Sequence, residues 1–104
     1  MRDKLDSYLG FAKKSRGLIS GYNTCIHGIN HGKIKLLIIA EDVTENGSEK
    51  LIRLAEDKKI TYRRYGTKEE LSKLMGFEDR GVFGIVDDNF ARIILKEIDS
   101  GQYV

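Results

Sequence analysis

The stretch Leu36-Leu37-Ile38-Ile39-Ala40-Glu41-Asp42 decides the fold. A strand with one wet face alternates apolar and polar residues. Leu36–Ala40 has no polar position at all, so it reads as a central strand buried on both faces. The run stops abruptly at a polar exit, Glu41 to Asn46. A strand covered on both faces needs helices above and below its sheet. Its five apolar residues fall far short of the roughly 20 that cross a bilayer.

Working outward, the flanking segments supply those helices. After the central strand, Asn46 and Glu49 form an N-cap pair for a helix reaching Asp57, with Leu51, Ile52 and Ala55 inward. Ile60–Arg64 reads as a strand. Thr67 and Glu70 form a capping box opening a helix that runs to Met75 and stops at Gly76. Val82–Val86 is a further strand. Asp88 or Asn89 caps a last helix whose inner face carries Phe90, Ile93, Ile94 and Ile98.

Before the central strand, Cys25, Ile26 and Ile29 mark a helix over 22–31 that Gly32 ends. Gly28 costs this helix about 1 kcal/mol relative to Ala, so packing must hold it. Leu18-Ile19-Ser20 is a short extended piece. Leu5, Tyr8, Leu9 and Ala12 predict an amphipathic helix over 3–15, with Lys13, Lys14 and Arg16 suiting the negative end of its dipole and Gly17 ending it. The order α-β-α-β-α-β-α-β-α predicts an α/β fold with a mainly parallel or mixed sheet and helices on both faces. A length of 104 residues, without proline, repeat or linker, fits one domain spanning 1–104.

Composition narrows the function. Apolar residues make up 40% and charged residues 33%, within the range of a soluble globular domain. A single cysteine excludes an intrachain disulfide and a zinc ribbon, and fits a reducing cytoplasm. The start of the chain lacks the apolar run of a signal peptide, and no membrane segment is expected. The net charge of +2 conceals an asymmetry. Residues 1–35 carry seven basic and two acidic residues, a net +5, and residues 36–104 carry eleven basic and fourteen acidic, a net −3. One basic third on a near-neutral chain suits an anionic partner.

Catalytic signatures are missing. Neither phosphate-binding glycine loop is present, and no serine sits in a nucleophile elbow. Cys25 and His27 point about 160° apart on a helix and cannot pair. His27 and His31 share a helical face, a spacing that can bind zinc, but no third ligand is evident. Asp42, Asp87 and Asp88 follow strands, where carboxylates can hold a divalent cation. No combination makes a catalytic set. The expectation is a binding protein without cofactor or resident metal.

Several motifs, taken in order, carry a resemblance: Leu9-Gly10-Phe11-Ala12-Lys13-Lys14, Leu18-Ile19-Ser20-Gly21, Lys33 through Asp42, Gly66-Thr67-Lys68-Glu69-Glu70-Leu71, and Asp87-Asp88-Asn89-Phe90-Ala91. Together they resemble the L-seven-Ae / L-thirty-e family of ribosomal RNA-binding proteins, and in particular its small bacterial members. The resemblance implies a three-layer α/β/α sandwich with a mixed four-stranded sheet, and a partner that is a kink-turn in RNA. In that family the second helix opens with Gly-x-Asn-Glu-x-x-Lys, often with an Arg four residues on. Here the run is Gly21-Tyr22-Asn23-Thr24-Cys25-Ile26-His27, then His31. Thr24 stands where the family has an acid that accepts from guanine edges, and the histidines stand where it has fixed cations.

The resemblance also places a second contact loop at Phe77–Val82, with Arg80 at its centre. It thus implies an RNA face of Gly21, Tyr22, Asn23, Thr24, His27, His31, Arg80, Gly81 and Val82, with Arg16 and Lys33 adding general phosphate attraction. The chemistry of these residue types agrees. A glycine lets a phosphate approach free N–H groups at a helix start. An Asn amide reads base edges or caps the helix. An Arg forks onto phosphate or stacks on a base, and an apolar shelf takes an extruded nucleotide. The expected protein is a cytoplasmic, monomeric RNA binder associated with the ribosome, with ribosomal proteins as further partners. The alternatives are a protein-interaction module with weakened RNA contacts, or a metal-dependent enzyme on His27/His31 or the strand-end aspartates.

Overall fold

A computed structural model of the chain describes residues 3–101. The basic count of the N-terminal third includes Arg2, which lies outside the described residues. The elements follow the expected alternation: α1 (Asp3–Lys14), β1 (Leu18–Ser20), α2 (Tyr22–Asn30), β2 (Leu36–Ile39), α3 (Glu45–Asp57), β3 (Thr61–Arg64), α4 (Lys68–Met75), β4 (Val82–Ile85) and α5 (Asp88–Gly101).

The four strands form one mixed sheet in the order β1-β4-β2-β3. β2 and β3 are parallel, with Leu36 opposite Thr61, and β4 is antiparallel to both β1 and β2. The unbroken apolar run becomes β2, whose four residues are at most 1% exposed. Alternation across the pleat divides it between two cores. Leu36 and Ile38 join Leu5, Leu9, Leu71, Phe83, Ile94 and Ile98 under α1, α4 and α5. Leu37 and Ile39 join Cys25, Ile29, Leu51 and Ala55 under α2 and α3. This is a three-layer α/β/α sandwich. Each fully buried Leu or Ile contributes roughly 1.5–3 kcal/mol.

Gly28 finds its reason here. A Cβ at Gly28 would meet Ile19 and Ile34 at 3.0 Å, and one at Gly84 would meet Ile34 at 2.6 Å. The two missing side chains let Ile34 wedge between α2 and the sheet, which offsets the low helix propensity of glycine.

Three local expectations are corrected. Thr44, not Asn46, caps α3: its hydroxyl accepts from Gly47 N–H at 2.9 Å, and its carbonyl accepts from Ser48 at 3.0 Å. The helix begins two residues earlier than the Asn46–Glu49 spacing suggests, because a β-region Thr already satisfies its first turn. Asp87, not Asp88 or Asn89, caps α5, accepting from Phe90 N–H at 2.9 Å. Arg16, not Gly17, is the left-handed residue that ends α1, with φ 63°. Gly17 instead donates to Ala12 at 2.7 Å, closing the helix in a Schellman pattern.

On the far edge of the sheet, Arg63 forks onto Asp99 at 2.8 and 3.2 Å. The hydrogen bonds from this guanidinium hold the Asp99 carboxyl below its ordinary value, against the opposing effect of burial.

Candidate nucleic-acid interface

The strand directions fix two ends of the sheet. At one end lie the start of α2, the exit of β2, the start of α4 and the loop entering β4. At the other lie the end of α1, the end of α2, the start of α5 and the exit of β4. Of the residues singled out in the sequence, Gly21, Tyr22, Asn23, Thr24, Arg80, Gly81 and Val82 meet at the first end. Arg16, His31 and Lys33 lie at the second, and His27 sits on the α2 face between them. The structure therefore divides this set rather than gathering it.

Gly21 joins the two site segments. Its N–H donates to Val82 O at 2.9 Å, and its carbonyl accepts from Cys25 as α2 begins. It occupies the N-cap position with φ 110° and ψ 150°, a conformation that glycine alone adopts cheaply. A Cβ there would lie 2.7 Å from Arg80 Nη1. Missing side chain and positive φ together let the guanidinium rest over the helix start.

The α2 N-terminus is open. No side chain caps it, and its first turn holds no acid. Asn23 lies inside the first turn instead of capping it, so the capping role weighed for it does not occur. Among the described residues its amide has no protein partner. Tyr22 is 38% exposed beside it. The N–H groups of the first turn therefore point outward, with the helix dipole behind them and Arg80 in front. The chemistry of such a surface suits an anion, and a flat exposed ring can stack a base.

Arg80 is held by a residue that sequence reasoning missed. Buried Ser72 accepts from Arg80 N–H at 2.8 Å and donates to Arg80 O at 3.0 Å. Both backbone groups are thus fixed from α4, while the guanidinium makes no ion pair among the described residues. The only sequence signal was a serine beside Leu71 on the inner face of a helix. A second missed residue is Arg64. Its guanidinium donates to Ala40 O at 3.3 Å, Val43 O at 3.0 Å and Ser48 Oγ at 2.5 Å. It ties down the exit of β2. A Cβ on Gly81 would meet Val43 at 2.6 Å and the Lys68 stem at 2.9 Å, so that loop in turn supports the approach to β4.

The metal readings lose their geometry. Asp42 sits at the exit of β2 and accepts from Lys68 N–H at 2.9 Å, while Asp87 caps α5 at the opposite end. Antiparallel pairing of β2 and β4 separates their exits, so Asp42 and Asp87/Asp88 do not form one carboxylate cluster. The His27 and His31 rings stack at 4.0 Å, and His31 Nδ1 lies 2.9 Å from the His27 carbonyl. That atom must therefore carry a proton and donate. No third His, Cys, Asp or Glu gathers with them among the described residues. Burial pushes the Cys25 thiol up to about 12, which keeps it protonated and unreactive. Among the described residues no helix is long and apolar enough to cross a membrane.

The layers, the mixed sheet and the element order define an α/β/α sandwich domain, with an uncapped helix N-terminus at one end of its sheet. The chain belongs to the ribosomal protein L7Ae/L30e/S12e/Gadd45 family, whose sequence pattern matches residues 3–95. It is similar to the RNA-binding protein YlxQ of Bacillus subtilis (strain 168), 28% identical over 91 residues that cover 88% of this chain and 91% of that one. It is also similar to the RNA-binding protein YlxQ of Enterococcus faecium, 30% identical over 91 residues covering 88% and 87% of the two chains.

Among solved structures, a protein of unknown function from Bacillus halodurans superposes with a TM-score of 0.89 at 26% identity, covering 94% of this chain and 99% of that one. The Giardia lamblia 15.5kD RNA binding protein shares the fold, with a TM-score of 0.76 at 21% identity and coverage of 96% and 92%.

Proposed function

We propose that this chain is a non-catalytic, monomeric RNA-binding protein that recognises a structured, kink-turn-like RNA and acts in association with the ribosome. One observation carries the reading: the uncapped N-terminus of α2 lies directly beneath the Arg80 guanidinium, at a glycine whose missing side chain makes the approach possible. Family membership and the RNA-binding names of two relatives support it.

In this reading a phosphate lies on the N–H groups of Tyr22–Thr24, and Asn23 reaches a base edge. Arg80 forks onto phosphate or stacks on a base beside half-buried Gly81. Val82, which the resemblance places on this face, is 5% exposed and packs in the core under α2 and α3, so it supports the loop from beneath and offers no shelf. Thr24 is too short and uncharged to accept from a guanine edge as the family's acid does. His27 carries a short ring where the family has a long side chain of fixed charge, so it is a weaker phosphate partner than a lysine. The two departures predict weaker kink-turn binding than a Glu/Lys helix start would give.

The test is fluorescence anisotropy with a labelled kink-turn hairpin, and with a straight duplex of equal length as control. Arg80→Ala and Asn23→Ala should each weaken hairpin binding by about 1–3 kcal/mol. Equal affinity for hairpin and duplex would remove the kink-turn part of the reading. Co-sedimentation of the tagged protein with ribosomes on a sucrose gradient tests the ribosomal part, and its absence from every ribosomal fraction would contradict it.

A further inference from the structure

We propose that a second nucleotide-binding groove runs along α2, from Thr24 at the edge of the first site past Gly28 to Gly32, and takes an unstacked base from a single-stranded RNA segment. This inference rests on the RNA-binding reading and extends it beyond the α2 N-terminus. The groove, of about 490 Å³, runs beside β1, the edge strand of the sheet. Ile19 and Val86 form its floor, and Gly28 forms its wall on α2. Gly28 is buried in that wall, packed against Ile19 and Ile34, which a Cβ there would meet at 3.0 Å. His27, Lys33 and Lys35 stand at the rim, all three exposed.

Charge selects the occupant. No acidic side chain lines the groove, and neither Lys33 nor Lys35 is in an ion pair among the described residues. The nearest acid in sequence, Asp87, is occupied in capping α5. An apolar floor under a rim of free cations matches the two halves of a nucleotide: a base for the floor and a phosphate for the rim. His27 lies on the α2 face that leads from the Arg80 end along this groove. One RNA can therefore place its folded part on the first site and a flanking single strand in the groove.

The probes are a single strand of about twelve uridines and, separately, a kink-turn hairpin with blunt ends. Lys33→Ala/Lys35→Ala should weaken binding of the uridine strand by about fivefold or more and change hairpin affinity by less than about twofold. Arg80→Ala should do the reverse. The uridine strand failing to bind, or binding equally well to the lysine variant, would overturn the groove. So would hairpin affinity falling in the lysine variant as far as in Arg80→Ala, because the lysines would then serve the first site.

Inorganic polyphosphate of similar length should compete poorly, and equal competition would show that the floor takes no base. A glutamate-rich peptide that displaces the uridine strand at equal concentration would assign the groove to a protein partner and overturn the RNA assignment. Failure of the hairpin alone, with lysine-dependent binding of the uridine strand intact, would remove the kink-turn reading and leave the groove standing.

Discussion

Two of the helices that begin at the same end of the sheet, α2 and α4, treat their N-termini in opposite ways. The start of α4 is closed by its own chain. Thr67 accepts from Glu70 N–H at 3.1 Å, Asp42 accepts from Lys68 N–H at 2.9 Å, and Glu69 and Glu70 place acid in the first turn. The start of α2 has a glycine at the cap, no acid and no side-chain acceptor. Capping of the first kind is worth typically about 1 kcal/mol. Its omission at α2 leaves N–H groups and a helix dipole facing outward, with Arg80 held over them. The closed end serves stability, and the open end is the one the proposed reading gives to RNA.

The largest effect that could break this contrast comes from Gly21→Val. The new side chain would occupy the space of Arg80 Nη1 and force a β-branched residue to φ 110°. The expected outcome is a stability loss of about 1–3 kcal/mol in urea titration and at least a tenfold loss of hairpin affinity. An unchanged protein in both assays would mean that the helix start tolerates a side chain and is no anion seat. Next is Ser72→Ala, which strips both partners from the Arg80 backbone. It should cost about 1–3 kcal/mol of stability and also weaken RNA binding, whereas Arg80→Ala should weaken binding with stability within about 0.5 kcal/mol.

The control on the closed side is Thr67→Ala. It should lower stability by about 1 kcal/mol and leave hairpin affinity unchanged. A matching loss of affinity would merge the two helix ends into one site. The smallest effect on binding belongs to Arg16→Gly. It relieves a left-handed arginine at the far end of the sheet and should stabilise the fold by up to about 1 kcal/mol. Hairpin affinity should stay within about twofold, and a larger drop would carry the folded RNA to that far end.

The closed helix end was plain in the sequence, because a capping box is local: Thr67 and Glu70 are three residues apart and satisfy one another. The central strand was equally legible, since an unbroken apolar run has only one place to go. The glycine opening α2 and the loop carrying Arg80 were singled out through the family resemblance, and the structure brings the two together. What stayed hidden depends on contacts between distant segments. Ser72 reaches Arg80 only once α4 and the loop before β4 have folded together. Arg64 looked like an ordinary strand-end cation until the exit of β2 wrapped around it. Arg16 and Lys33 belong to the same basic third as Gly21, yet antiparallel α2 and β1 carry them to the other end of the sheet. Caps competed locally at Thr44 and Asp87, where a neighbouring residue of nearly equal propensity was the better placed one.

The central claim is that the open end of α2, and not the closed end of α4, receives the RNA. Amide chemical-shift mapping of the 15N-labelled protein with the kink-turn hairpin tests this directly. The expected result is a group of large shifts at Tyr22–Thr24 and Arg80–Val82, with Lys68–Glu70 unmoved. Shifts centred on Lys68–Glu70, or none at Tyr22–Thr24, would contradict it.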